Sequence, residues 1–215
     1  VCAAGPFSGE LAAEGDAVAV SGVRGLVVCV RELDGGLMWR RGIDADVLSI
    51  AVDPATSTLI LGGRQDGSLT LEGDAPLPHR GGGDAWAAGF ALDDGALRWA
   101  RSWGGLASDA GSALAPGDDG RVRFVGSFAS EARMDRVLLT FASGGLAIAS
   151  LAPSDGRDAW ARGAQTSSLP TIEDAMVVDA GLVVLARDAS VIDLGDDVTL
   201  DTFGRAFSLL RWRDR

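Results

Sequence analysis

The chain says nearly the same thing three times. "LDGGLMWRRG" (Leu33 to Gly42), "LDDGALRWARSWGG" (Leu92 to Gly105) and "PSDGRDAWARG" (Pro153 to Gly163) place Trp39, Trp99 and Trp160 at intervals of 60 and 61 residues. A period of that length constrains the fold more than any single residue does. Each copy is one supersecondary unit that cannot cover its own apolar faces, so neighbouring copies must stack on one another.

The segments between the tryptophans align as well. "VLSIAVDPATSTLILGG" from Val47, "GSALAPGDDGRVRFVGS" from Gly111 and "EDAMVVDAGLVVLARD" from Glu173 each read as a strand, a turn carrying Asp, Gly or Pro, and a second strand. A linking piece follows with its own echo. "GELAAEGDAVAV", "SLTLEGDAPL" and "VIDLGDDVTL" carry the pairs Gly15-Asp16, Gly73-Asp74 and Gly195-Asp196 between short apolar stretches, which predicts an accessory hairpin. Its equivalent "EARMDRVLLTF" has no glycine. A third strand and the Trp-bearing fourth complete the unit. Stretches such as "LVVCV" are apolar on both faces, as a strand sandwiched between sheets must be. No run has capped helical periodicity. The expected fold is all-β: a β-propeller-like array of four-stranded antiparallel blades. A parallel β-helix, with shorter rungs, is the competitor.

The phase of the repeat predicts three strands, then four, four and three. This makes two complete and two partial blades over approximately 1–42, 44–105, 108–165 and 171–215 in a single region. The expectation that follows is an arc of about four blades, part of a longer chain, that self-associates through uncovered edges.

"SDAGSALAPGDDGRVRFVGSF", "GGGDAWAAGFALDDGALRWARSWGG" and "VIDLGDDVTLDTFGRAFSLL" resemble the SBBP-type bacterial β-propeller repeats of secreted proteins and lipoproteins, notably of myxobacteria. The resemblance runs over essentially the whole chain. It implies a propeller and an extracytoplasmic place (periplasm, cell surface or secreted), and it carries no catalytic residue across. "ALDDGALRW" is also similar to the quinone-type (PQQ-like) repeat of outer-membrane assembly factors, which lacks the accessory hairpin.

Composition narrows the chemistry. All 19 basic residues are arginine, Tyr is absent and His79 is the one histidine, against 30 acidic residues and a net charge of −11. A nucleic-acid partner needs a basic footprint, and this chain has none. A lysine Schiff base and a His-rich zinc site are impossible. No apolar run is long and uninterrupted enough for a transmembrane helix. Cys2 and Cys29 fall on adjacent antiparallel strands. They are read either as a disulfide or as two buried thiols.

Each candidate site has a plainer reading beside it. The tryptophan column serves either ligand stacking or blade packing, and packing is expected. Trp103, in "SWGG", is expected to be the most exposed of the six. The acidic turns Gly117–Gly120 and Asp193–Asp197 could supply oxygens to Ca²⁺, with Asp193, Asp196 and Asp197 as the metal candidates, but Asp and Gly also populate ordinary turns. His79, in "PLPHRGGGD", is expected to be exposed and idle, and no phosphate loop is present. No catalytic or cofactor-binding residue is assigned. The functional expectation is a non-catalytic extracytoplasmic scaffold for a protein or carbohydrate ligand. The alternatives are an assembly-factor-like propeller that binds a protein by a sheet edge, and a polysaccharide hydrolase using paired carboxylates.

Overall fold

The computed structural model describes residues 1–7, 10–13, 16–19, 24–71, 76–178, 181–187, 191–193, 199–201 and 208–213. Strand pairing alone is described at 10–13, 16–19 and from 191 onward.

Twenty strands and no helix occupy these residues. Blade 1 is the three-stranded sheet β1 (Cys2–Pro6), β4 (Gly25–Val30) and β5 (Leu37–Ile43), with the hairpin β2 (Glu10–Ala13) and β3 (Asp16–Ala19) inserted after its first member. Blade 2 is β6 (Asp46–Asp53), β7 (Thr58–Gln65), β8 (Asp84–Ala91) and β9 (Leu97–Trp103), in that order. Among the described residues of its insertion, Leu69 and Leu77 form an antiparallel bridge. Blade 3 is β10 (Asp109–Pro116), β11 (Val122–Phe128), β14 (Gly145–Leu151) and β15 (Asp158–Thr166), with the hairpin β12 (Glu131–Arg133) and β13 (Leu138–Thr140). Blade 4 pairs β16 (Thr171–Val178), β17 (Gly181–Arg187) and β20 (Ser208–Arg213). Its hairpin, β18 (Val191–Asp193) and β19 (Thr199–Asp201), adds to the free edge of β15. All pairings within the blades are antiparallel. The all-β blade array, with two complete and two three-stranded blades, is the fold that the repeat predicts.

The middle strands explain the both-faces-apolar pattern. Every residue of β8, β11 and β14 is buried, because each of these sheets is pressed between two others. The core is divided by seam. One cluster joins blades 1 and 2 around Cys29, Trp39, Leu59 and Phe90. A second joins blades 2 and 3 around Ile60, Trp99, Trp103 and Phe124, and a third joins blades 3 and 4 around Val125, Ile148, Ile172 and Val184.

The tryptophan column staples the seams. Trp39 Nε1 donates to the Leu92 carbonyl at 2.9 Å, and Trp99 Nε1 donates to the Pro153 carbonyl at 2.7 Å. Each indole thus reaches from the last strand of its own blade to the outer turn of the next. There it lies on a glycine with positive φ, Gly95 (+72°) or Gly156 (+68°). A Cβ on Gly95 would stand 2.6 Å from the Trp39 ring. Only glycine satisfies both the turn and the contact. The arginine two residues on repeats the reach: Arg41 donates to the Gly95 carbonyl at 2.6 Å and Arg101 to that of Asp155 at 3.2 Å.

Two expectations are corrected. Trp103 is 2% exposed, not the most exposed tryptophan; it lies against Phe124 with ring centroids 4.7 Å apart, because the end of β9 is covered by blade 3. His79 is half-buried, not free in solvent, and its Nε2 is enclosed without a hydrogen-bond partner. Cys2 and Cys29 are direct register partners across β1 and β4, with Cα atoms 4.1 Å apart, and they form a disulfide.

Candidate functional site

The first strands of blades 2, 3 and 4 pack side by side, and each carries a bulge. In β6 the pairing skips between Val47 and Ser49, in β10 between Gly111 and Ala113, and in β16 between Ile172 and Asp174. The residues left over are Leu48, Ser112 and Glu173. A bulge re-aims the side chain it carries. All three of these residues line one open cavity of about 450 Å³. It is also lined by Asp46, Ala110 and Thr171 near the strand starts, and by Ser108, Leu169 and Pro170 of the loops leading into blades 3 and 4; Arg64 and Ser127 come from the second strands. Leu48 is 48% exposed and Leu169 39%. Leu106, on the loop before Ser108, is 85% exposed. The result is a hollow of mixed lining, in which Leu48, Leu169, Pro170 and Ile172 stand beside serines and charged groups.

The charges at the cavity are engaged. Asp46 pairs with Arg24 at 3.6 Å, Arg64 with Asp66 at 2.8 Å, and Glu173 with Arg187. Asp109 is 1% exposed and accepts the backbone N–H of Gly105 at 2.8 Å and of Ala129 at 2.9 Å. It ties the loop entering β10 to the loop leaving β11. Burial pushes its carboxyl up to about 6 despite these two donors, and the neighbouring charges of Asp84 and Glu131 act in the same direction. Asp84, fully buried at the start of β8, accepts the Arg80 N–H through Oδ2 at 2.6 Å, while its Oδ1 has no partner; burial raises this carboxyl too.

Of the metal candidates, Asp196 and Asp197 lie outside the described residues, and Asp193 is placed by strand pairing alone. In the other acidic turn, Asp119 is occupied by Arg123 at 2.8 Å and by the Arg121 N–H at 3.2 Å. Among the described residues no group of three or more His, Cys, Asp or Glu is placed to hold a metal. The bulge residues and Asp109 were missed in the sequence. Leu48 and Ser112 fall within the aligned first strands and Glu173 at the start of the third, but a bulge has no composition of its own.

No family model matches the chain, and no curated protein does. Among solved structures it is similar to "The crystal structure of BamB from Moraxella catarrhalis", at 16% identity and a TM-score of 0.40, over 99% of this chain and 52% of that one. The chain therefore spans about half the length of that structure. The blades are defined by their own strand pairing, and no function passes from that likeness to this chain.

Proposed function

We propose that this chain is a non-catalytic binding scaffold that works outside the cytoplasm and seats its ligand at the mouth of the cavity. The observation that carries this reading is the bulge ring. One backbone device, repeated in three blades, presents leucine, serine and glutamate to the same hollow. A constant scaffold with a varied lining suits recognition. The cavity carboxylates favour binding over hydrolysis. Asp46 and Glu173 are held by arginines, and both oxygens of Asp109 accept backbone N–H groups. A hydrolase needs a carboxylic acid and a carboxylate free to face one bond. The disulfide supports an oxidising compartment.

The assembly-factor-like alternative has one observation in its favour. The hairpin β18–β19 extends blade 3 from the edge of β15, so a fourth-strand edge does accept an added strand. Peptide and glycan arrays probed with the chain and with its Leu48→Arg and Ser112→Arg variants test the cavity. Both positions are partly exposed, so the variants keep the fold. Binding lost in both variants is the expected result. Binding that survives both moves the partner to the sheet edges, and turnover abolished by Asp46→Asn replaces the scaffold with an enzyme.

A further inference from the structure

Two glycine-rich pieces of chain meet between blades 2 and 3. "RGGGD" (Arg80 to Asp84) leads into β8, and "WGGLASD" (Trp103 to Asp109) connects β9 to β10. Gly82 N donates to the Leu106 carbonyl at 3.2 Å, Asp109 N donates to the Gly83 carbonyl at 2.8 Å, and Gly83 bridges Ser108 in parallel. A Cβ on Gly81 would collide with the Leu106 backbone. Segment 104–108 is therefore laid on the glycine strip 81–83, an approach that Gly81 permits by having no side chain.

A buried carboxylate stands at the foot of each piece. Asp84 is fully buried and Asp109 is 1% exposed. Asp84 Oδ1 and Asp109 Oδ2 converge on the bare face of Gly104, where a Cβ would collide with the first and stand 2.8 Å from the second. Asp109 Oδ2 also accepts the Gly105 N–H, and its Oδ1 that of Ala129, but Asp84 Oδ1 has no hydrogen-bond partner among the described residues. The charges around the pair do not neutralise it. Glu131 of β12 lies on Gly105 and acts on Asp109 as a second negative neighbour. His79 and Arg80, on the loop before the strip, favour ionised Asp84, but its burial outweighs them. Arg64 of β7 donates to the Gly82 carbonyl at 3.1 Å and is paired with Asp66. Two buried carboxylates facing one point repel each other when both are ionised, and a proton on either removes the repulsion. Burial raises both carboxyls, that of Asp109 to about 6.

We infer that Asp84 and Asp109 form a proton-operated latch on segment 104–108. While the pair holds a proton, the segment lies closed on the glycine strip. When both carboxylates are ionised, their repulsion lifts the segment and frees the Gly82, Gly105 and Asp109 amides. Ser108, Asp109 and Ala110 line the cavity, so the latch sets the position of one cavity wall. Its effect on a bound ligand rests on the scaffold reading; the latch itself does not.

Amide hydrogen exchange of the unliganded chain, normalised to the intrinsic exchange rate at each pH, is the test. Protection at Gly82, Gly105, Asp109 and Ala129 is expected to fall about tenfold between pH 5 and pH 8 and to be indifferent to low urea, as local opening is. Asp84→Asn places an N–H donor where Oδ1 stands. It is expected to unfold as cooperatively as the parent and to stay protected at pH 8. Glu131→Gln, at a partly exposed position, keeps the pair and should move the fall to lower pH. The proposal is overturned by protection that does not change with pH, or by a fall that urea accelerates throughout the molecule. It is equally overturned by a fall that persists in full in Asp84→Asn, or by a midpoint unmoved in Glu131→Gln. Protection restored at pH 8 by calcium or magnesium chloride would make a cation, not a proton, the closing group and overturn it as well. No ligand enters the measurement, so its result is independent of the array experiment.

Discussion

The seam between blades 2 and 3 and the outer flank of blade 1 are built from the same turn and stabilised by different means. At the seam, Gly156 is covered by Trp99, the indole is hydrogen-bonded, and a core of aliphatic and aromatic side chains runs behind it. On the flank Gly35 is exposed with no described residue over it, and the blade is held across β1 and β4 by the disulfide. A repeat thus specifies a local shape, while the energy that shape contributes depends on the neighbour pressed against it. Where the neighbour is present, burial dominates. Across β1 and β4 a covalent link restricts the unfolded chain.

The sharpest way to break this contrast is to damage both turns identically. Trp99→Ala should cost about 3–5 kcal/mol, the range for deleting a buried aromatic. Gly156→Ala should cost a comparable amount, since it meets both the left-handed backbone penalty and the Trp99 ring. Gly35→Ala meets the backbone penalty alone and should cost about 1–2 kcal/mol. Urea unfolding of the three variants reads this directly. Equal losses at Gly156 and Gly35 would mean that the ring contact contributes nothing.

Next in size is the flank's covalent link. Closing a loop with a sequence separation of 27 residues removes about 3.5 kcal/mol of unfolded-chain entropy on the loop-closure model. Cys2→Ser with Cys29→Ser, or reduction of the parent, should lower the urea midpoint accordingly. The loss should add to that of Trp99→Ala, because the two sites lie in different core clusters. A strongly non-additive double variant would make the flank and the seam one cooperative unit.

The third effect is electrostatic and belongs to the seam. Asp109 has its carboxyl raised from 3.8 to about 6 by burial, so the folded state holds a proton that the unfolded state has released. Stability contributed by that proton is complete below pH 4 and is lost as pH rises through about 6, on the order of 3 kcal/mol in all. Asp84 and Asp158, raised in the same direction by burial, add to the slope. Asp109→Asn should flatten the fall in stability between pH 4 and 7, and Asp34→Asn on the flank should leave it in place. An unchanged slope in Asp109→Asn would remove Asp109 from the account.

Much of this architecture can be read from residues alone. The Trp39–Trp99–Trp160 period, the Asp-Gly turns and the doubly apolar strands are local signals. They lead to antiparallel blades of three, four, four and three strands with an inserted hairpin. Even the glycineless "EARMDRVLLTF" forms its hairpin, because Leu138 and Leu139 still pair back on Arg133 and Ala132. Trp103 shows the limit. Its "SWGG" setting looks like a loop, but the burial of a strand end is decided by the next blade. The bulges at Leu48, Ser112 and Glu173 show it again. They leave the alternation of side chains almost unaltered in the sequence, yet they choose which residue enters the cavity. The same holds for Asp109, whose ligands, Gly105 and Ala129, lie in two different loops.

What the sequence determined by itself was the repeat: strand identity, turn type, blade phase and the adjacency of the two half-cystines. These depend on period and on nearest neighbours along the chain. Only the tertiary structure decided which tryptophan covers which glycine and which three side chains meet at the cavity. The indole staples join groups 53 and 54 residues apart, and the cavity residues lie further apart still, brought together by stacking one blade on the next; no local rule of propensity or alternation contains such distances.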